Sequence, residues 1–566
     1  MIRTTLAIFG VATVAASVLA GRSLPDTRQA RGAIAFEHVT VVPMDRERTL
    51  ANHTVVVQGG VITAVGRDGE VTIPSGAARI DLRGRYVMPG LADMHVHLYD
   101  TDQFINYLAH GITTIGVLHG APPVLRWRRQ VERGELLGPT IYTAGPTLDG
   151  APALNSAFLS LGSPENARIA VRALAEAGYD FLKVYSGLPP ETYDAIISEA
   201  NSRHIAAVGH IPFRVGVDGV LKPNGQAMIA HAEEFFRGPV DSARMAEMVQ
   251  LVKRTGVTVT PNMLAYVDYI RSIDDLPRVL ADPEMRFVSA AAFSEKLPSH
   301  NRSIRQNPQA FRAALVNGLG QFRRFTKQLS EAQVPLLVGT DTEIFGTAGA
   351  SAHEELTEMA SAGLTPYQVL VAGTRTAGEF VASRVRKTER FGTVAVGQRA
   401  DLLVLSANPL ASVENTNRID GVMVRGRWLP ASRLAAMRDS LALIRARQKP
   451  LVARFDSLMT AGKLDDAERA LSELRRVNAG SAPIAQGVLW VKAQRALQRD
   501  TLAALRVLRW EAEMFPESHS SHAELARVYA LRSDTARAVA EARRALTIFP
   551  KHEPALRVLE QFGKRD

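Results

Sequence analysis

Between residues 91 and 390 the chain repeats one pattern, a short apolar run followed by a stretch of helical character. Candidate strands fall at 94–98, 113–118, 140–143, 181–185, 205–210, 227–231, 257–261 and 335–341. Helix-like stretches such as 164–177 and 190–203 separate most of them. This alternation confines a chain to βαβ units, whose parallel strands need helices to cover them. Eight such units predict an α/β fold, a (β/α)8 TIM barrel. One connection is too long. Pro261 to Pro335 holds far more than one helix, so residues 264–306 are expected to form an insert.

Two β-rich pieces flank this region. Residues 34–90 and 391–430 run in short alternating segments, and Gly59-Gly60 sits between two of them as a hairpin turn. Each piece is too small to bury a good core alone, so the two are expected to pair into one discontinuous β-sandwich. After Pro430 the chain is helical. Asp466, Asp500 and Asp534 recur every 34 residues, as do Ala470, Ala504 and Ala538. That period, with a small residue at each helix crossing, resembles tetratricopeptide (TPR) repeats over 445–566, although a generic array of helical hairpins would look much the same. Lys492 stands where a small residue is usual.

Residues 1–20 read as an export signal. Arg3 supplies the positive end, an uncharged apolar run follows, and Val18-Leu19-Ala20 offers small residues for cleavage. Export, with a periplasmic location, is the expectation, and an uncleaved N-terminal anchor is the alternative.

Composition narrows the chemistry. With no cysteine, a metal must be held by His, Asp, Glu or a modified side chain, and thiol nucleophiles are excluded. The net charge of +10 is spread over 566 residues without a dense basic block, which argues against nucleic-acid binding. His95-Val96-His97 lies on the first predicted barrel strand, where positions i and i+2 project to one face. Lys183 lies inside the fourth strand, and His210, His231 and Asp341 end the fifth, sixth and eighth. Strand ends at that face are where barrels of this type build sites.

These positions resemble the amidohydrolase superfamily of metal-dependent hydrolases. The carriers are Gly84-Arg85-Tyr86-Val87-Met88-Pro89-Gly90-Leu91-Ala92-Asp93-Met94-His95-Val96-His97, Gly339-Thr340-Asp341, His353-Glu354-Glu355-Leu356 and the return through Gly397-Gln398-Arg399-Ala400-Asp401. Within the superfamily they look like the imidazolonepropionase-like and prolidase-like branch.

The resemblance implies two divalent metal ions, zinc being the expected one. His95, His97 and Asp341 would hold one, His210 and His231 the other, and Lys183 would bridge both as a carbamate formed with CO2. It further implies that a bridging hydroxide attacks the substrate, with Asp341 as the catalytic proton acceptor, and that the bond cut is an amide or peptide-like C–N bond of a small molecule, of dipeptide or N-acyl amino acid type. Burial favours the neutral lysine amine that reacts with CO2.

His119, Tyr185 and His353 are candidate substrate contacts, and Arg302, Arg305, Arg312, Arg323 and Arg324 candidate carboxylate contacts. Ala232-Glu233-Glu234 after His231 departs from the usual family pattern. Two other functions stay open: a mononuclear deaminase or cyclic amidase, and a non-catalytic protein recruiting a partner, or self-associating, through the TPR-like tail.

Overall fold

The computed structural model describes residues 32–155, 157–236, 238–296, 307–342, 346–477 and 482–563. The predicted export signal at 1–20, Arg302 and Arg305 lie outside the described residues. Among the described residues no helix is long and apolar enough to cross a membrane.

The two flanking β-rich pieces share one hydrogen-bonded eight-stranded sheet. Ile34–Val41 runs antiparallel to Leu50–Gln58, which turns back into Val61–Arg67. Gly59 and Gly60 both have positive φ, 61° and 83°, the requirement of a two-residue hairpin that matches strand twist. From the far end of the chain, Leu402–Leu405 pairs antiparallel with Tyr86–Pro89, placing Val404 opposite Val87. Phe36, Val55, Ile62, Val87, Leu402 and Val404 are buried together, so the shared sheet also shares a core.

The central region forms a TIM-barrel-like α/β fold. Leu91–Val96, Ile112–Val117 and Thr140–Thr143 pair in parallel. Phe181–Val184, Ala206–Gly209, Met228–Ala230 and Thr258–Thr260 form a second parallel run, extended at one edge by Leu148–Gly150 and Leu159–Leu161. Parallel bridges link Ala144 to Phe181, Val259 to Leu336, and Val96 to Thr342. The segment expected as the eighth strand therefore touches its neighbours only at isolated bridges. Asp341, just before the bridge at Thr342, adopts φ 60°, outside the extended region.

The described part of the predicted insert, 264–296, is largely helical. Met263–Leu280 kinks at Asp275, two residues before Pro277, whose ring cannot continue the helix without displacing it. A 3-10 turn Pro283–Phe287 and the helix Ala290–Lys296 follow. This insert packs on the C-terminal helices: Ala290 and Ala291 join the same apolar cluster as Val452 and Phe455.

Glu284 of the insert lies 3.3 Å from His110 Nε2 and accepts from Arg438 Nη2 at 2.6 Å. Burial alone would raise its pKa, but these two partners pull it down to about 2. A folded-state value below the unfolded one contributes stability above the unfolded pKa, lost as pH falls from about 4.5 through 2. Glu284→Gln is therefore expected to lower the denaturant midpoint at pH 6, with the gap to the parent closing as pH approaches 2. An equal gap at pH 6 and pH 3 would contradict the assignment.

The C-terminal region is a run of helices from Ala431–Thr460 to Glu553–Phe562. Ala470, Ala504 and Ala538, the residues at the repeated interval, are fully buried. Asp500 and Asp534 cap the helices Thr501–Met514 and Thr535–Ile548 through side-chain bonds to backbone N–H groups, whereas Asp466 lies within the first turn of Leu464–Val477. Lys492 fits its crowded position because Nζ donates to Asp456 Oδ1 at 2.6 Å.

Candidate metal centre

Each candidate side chain is set by the end of a parallel strand. His95 belongs to Leu91–Val96 and His97 follows it directly. Asp341 is brought against them by backbone bonds, its N–H and that of Thr340 both donating to the His95 carbonyl. Gly339 is needed there, since a Cβ would lie 2.8 Å from the His95 Cβ. Asp93 fixes the junction from below: Thr340 Oγ1 donates to it at 2.6 Å, and the N–H groups of Thr340 and His95 at 3.1 and 3.3 Å.

The result is one compact group. Ligating atoms of His95, His97 and Asp341 all lie within 4.8 Å of one another. His97 Nε2 donates to Asp341 Oδ1 at 2.8 Å, and His95 Nε2 lies 3.2 Å from the same oxygen. Burial pushes the His95 imidazole well below its usual pKa, keeping it in the neutral form that ligates. Burial opposes ionisation of Asp341, but the adjoining His95 and His97 rings outweigh it and hold the carboxyl well below its usual range.

His210 and His231 lie beside this group. His231 has its ring centre 4.8 Å from that of His95 and 4.9 Å from that of His210. Burial holds the His231 imidazole down to about 3 and also lowers that of His210. His210 Nδ1 donates to Glu234 Oε1 at 2.7 Å, with Ser186 Oγ 3.0 Å from the same nitrogen, which leaves Nε2 turned to its other side. Glu234 also accepts from the Ile211 N–H at 3.1 Å. The backbone is strained here: His231 and Asn262 take φ 72° and 53°, and Asn262 Oδ1 accepts from the His231 N–H.

Seven rings form a closed circuit: His95, His97, His119, Phe158, Tyr185, His210, His231 and back to His95. Successive centres are 5.8, 6.2, 5.4, 4.7, 4.2, 4.9 and 4.8 Å apart. Lys183 interacts electrostatically with four of these, His95, His119, His210 and His231. Its Nζ is buried with no hydrogen-bond partner, and burial lowers its pKa to about 8. Gly209 makes room for it, since a Cβ there would meet Lys183 Cδ at 2.8 Å.

The donor set suits hard or borderline divalent cations. It offers neutral imidazoles, an ionised carboxylate and a buried amine without a proton acceptor, all free of thiolate.

The structure brings together His95, His97, Lys183, His210, His231 and Asp341, with His119 next to His97 and Tyr185 next to His210. His119 Nδ1 bonds to Thr147 Oγ1 at 2.9 Å. His353 is not brought to this circuit. Its Nδ1 bonds to Thr416 Oγ1 and its Nε2 to the His110 carbonyl, both at 2.8 Å, so it joins the helix Ala350–Ser361 to neighbouring segments instead of facing substrate. Arg312 and Arg323 are paired with Asp274 and Glu358, and Arg324 is exposed.

Glu234, Ser186, Asp93, Asn262 and Phe158 escape sequence reasoning. For Glu234 a signal exists, an acid three residues after His231, but only the fold shows that it serves His210. A carboxylate behind a ligating imidazole fixes its tautomer and raises its basicity. Glu234→Gln is expected to cost about 10–100-fold in metal affinity or kcat/KM, measured on the full chain. Unchanged values would show that the contact is only structural.

A TIM-barrel-like fold with a His–His–Asp group that could hold a metal ion defines the class, that of barrel proteins with a candidate metal centre. The amidohydrolase family model matches residues 86–429, and the chain belongs to the amidohydrolase family, whose name denotes hydrolases of carbon–nitrogen bonds.

Solved structures share the fold. A bottromycin amidohydrolase is 22% identical, covers 74% of this chain and 92% of its own, and superposes with a TM-score of 0.58. A Xaa-Pro dipeptidase with methionine bound in its active site is 18% identical over 70% of this chain and 100% of its own, TM-score 0.55. A prolidase complexed with N-methylphosphonate-L-proline is 22% identical over 70% and 99%, TM-score 0.54. Among curated proteins, a dihydroorotase from Trichlorobacter lovleyi is 48% identical over 46 residues, 8% of this chain. The chain matches only 10% of that relative's length.

Proposed function

We propose that the chain is a metal-dependent hydrolase of amide or peptide-like C–N bonds in small molecules, of dipeptide or N-acyl amino acid type. His95, His97 and Asp341 would hold one divalent ion, His210 and His231 a second, and Lys183, carboxylated by CO2, would join the two, with zinc the expected metal.

The observation that carries this reading is Lys183 Nζ. It is buried without a partner beside four histidines of the circuit. An ammonium there would be desolvated and without a hydrogen bond, although the Asp341, Glu234 and Glu233 carboxylates favour its charge, and it would repel a bound cation. A carbamate would replace that cost with an anionic oxygen pair. The dipeptidase and prolidase likenesses add support for the substrate class.

Bound divalent ions would make water nucleophilic near neutral pH and polarise a carbonyl. The chain's own residues do the rest. Asp341, ionised and on the rim of the His95/His97 pair, takes a proton from the attacking water and returns it to the leaving nitrogen. The water oxygen bonds to the carbonyl carbon, the C–N bond breaks, and an acid and an amine leave. Glu234 and Ser186 hold the His210 ring in one orientation. His119, Phe158 and Tyr185 form the wall against which a substrate side chain rests.

The wider organisation is part of this proposal. Eight parallel members, the last at 335–342, would close a barrel over 91–390, flanked by the shared β-domain of 34–90 and 391–430. Residues 445–566 would be degenerate TPR-like repeats, and 1–20 an export signal directing the chain to the periplasm.

Metal analysis of the purified full chain, followed by a screen of dipeptides and N-acyl amino acids, tests the reading. Close to two equivalents per chain and turnover of a C–N bond are expected. A chain that takes up no divalent metal and cleaves none of them overturns it.

A further inference from the structure

The C-terminal helices are fixed to the loop that leaves the candidate metal centre. Arg445, on the helix Ala431–Thr460, is fully buried. Its Nη2 donates to Asp100 Oδ1 at 2.8 Å, its Nη1 to Gln448 Oε1 at 3.0 Å, and Asp102 lies 3.8 Å from that same nitrogen. Asp100 is also buried and stands three residues after His97. Asp100 Oδ1 accepts from the Gln103 N–H at 3.2 Å, while Gln103 Oε1 accepts from the N–H groups of Tyr99 and Asp100 at 2.7 and 3.0 Å. Tyr99 OH donates to Glu295 Oε2 of the insert at 2.7 Å. The loop 98–102 is thus tied at the adjacent residues Tyr99 and Asp100, once to the insert and once to the tail.

Buried ion pairs are poor devices for stability, because desolvation of both charges offsets their attraction. What they supply is geometry: a planar guanidinium accepts a carboxylate in few orientations. The backbone leaving His97 is therefore held in one place by a residue 345 positions beyond Asp100 in the chain. The His97 N–H is itself bonded to the Thr342 carbonyl, so the loop after it is the other side from which its placement can be fixed.

We propose that Arg445 is a positioning residue for His97, and that the C-terminal helical region completes the hydrolytic site in cis by bracing the loop after the first barrel strand. This rests on the metal reading above. It assigns the tail a role within its own chain.

Two full-length variants test it. Arg445→Met combined with Asp100→Asn removes both charges and leaves neither buried alone. Arg445→Lys keeps the charge and loses the fork. Each is compared with the parent by circular dichroism, by cobalt(II) titration, by the visible spectrum of the cobalt-loaded chain, and by kcat and KM separately. The double variant is expected to keep the native dichroism while binding cobalt about 10–100-fold more weakly, with a changed visible band and a lower kcat at similar KM. The lysine variant should fall between, and it carries the test alone if the double variant does not fold. Variants that fold and match the parent's cobalt affinity and spectrum, whatever their melting temperature, overturn the positioning role. A parent that binds no cobalt overturns the metal reading, and this inference with it.

Discussion

Asp341→Asn is expected to lower kcat by about 10²–10⁴-fold, the range for a positioned proton acceptor. Asparagine keeps the volume and one carbonyl oxygen, so His97 Nε2 retains a partner and the local fold should survive. It cannot ionise, and so cannot take a proton from water and return it to nitrogen. Burial makes the loss severe, since Asp341 is only 8% exposed and bulk solvent is a poor substitute for it there. Steady-state kinetics over pH 5–9, with melting temperature as a control, measure the effect. An Asp341→Asn variant within tenfold of the parent would assign the proton to another group.

Lys183→Ala is expected to abolish measurable turnover and to lower the metal content from near two equivalents to one or fewer. Under the proposed two-metal reading, removing the bridging group would take a ligand from both ions, and His210 and His231 alone would offer a weak two-point site. The small side chain leaves room where the amine lay, so formate or acetate at tens of millimolar should restore part of the activity by supplying a carboxylate in place of the carbamate. Two retained equivalents and full turnover would leave Lys183 as an ordinary buried residue and favour a mononuclear centre.

Much of the frame is legible in the chain. The strand at Thr140–Thr143 and the turn at Gly59-Gly60 follow from local preference alone, because apolar runs and paired glycines restrict each to one conformation. The pairing of His95 with His97 follows from strand periodicity. The eighth strand does not follow: 335–341 is apolar enough, but the left-handed turn at Asp341 is imposed by the backbone bond it makes to His95. Contacts between distant segments leave no local trace. Glu234 facing His210 and the seven-ring circuit arise only when neighbouring strands are laid side by side. His353 illustrates the converse, a residue in a suggestive sequence setting whose nitrogens are committed elsewhere. The 34-residue rhythm shows that the tail is repetitive, while its attachment through Arg445 rests on a single side chain outside that rhythm.

The sheet that joins Tyr86–Pro89 to Leu402–Leu405 sets a schedule for biosynthesis. During translation the first of these strands emerges with its partner still unmade, and at about 5–20 residues per second the gap lasts on the order of 15–60 s. Through that interval an unpaired β edge is presented to every other nascent chain nearby. Holding factors on the ribosome would shield it, and overproduction faster than they can act should drive the protein into inclusion bodies.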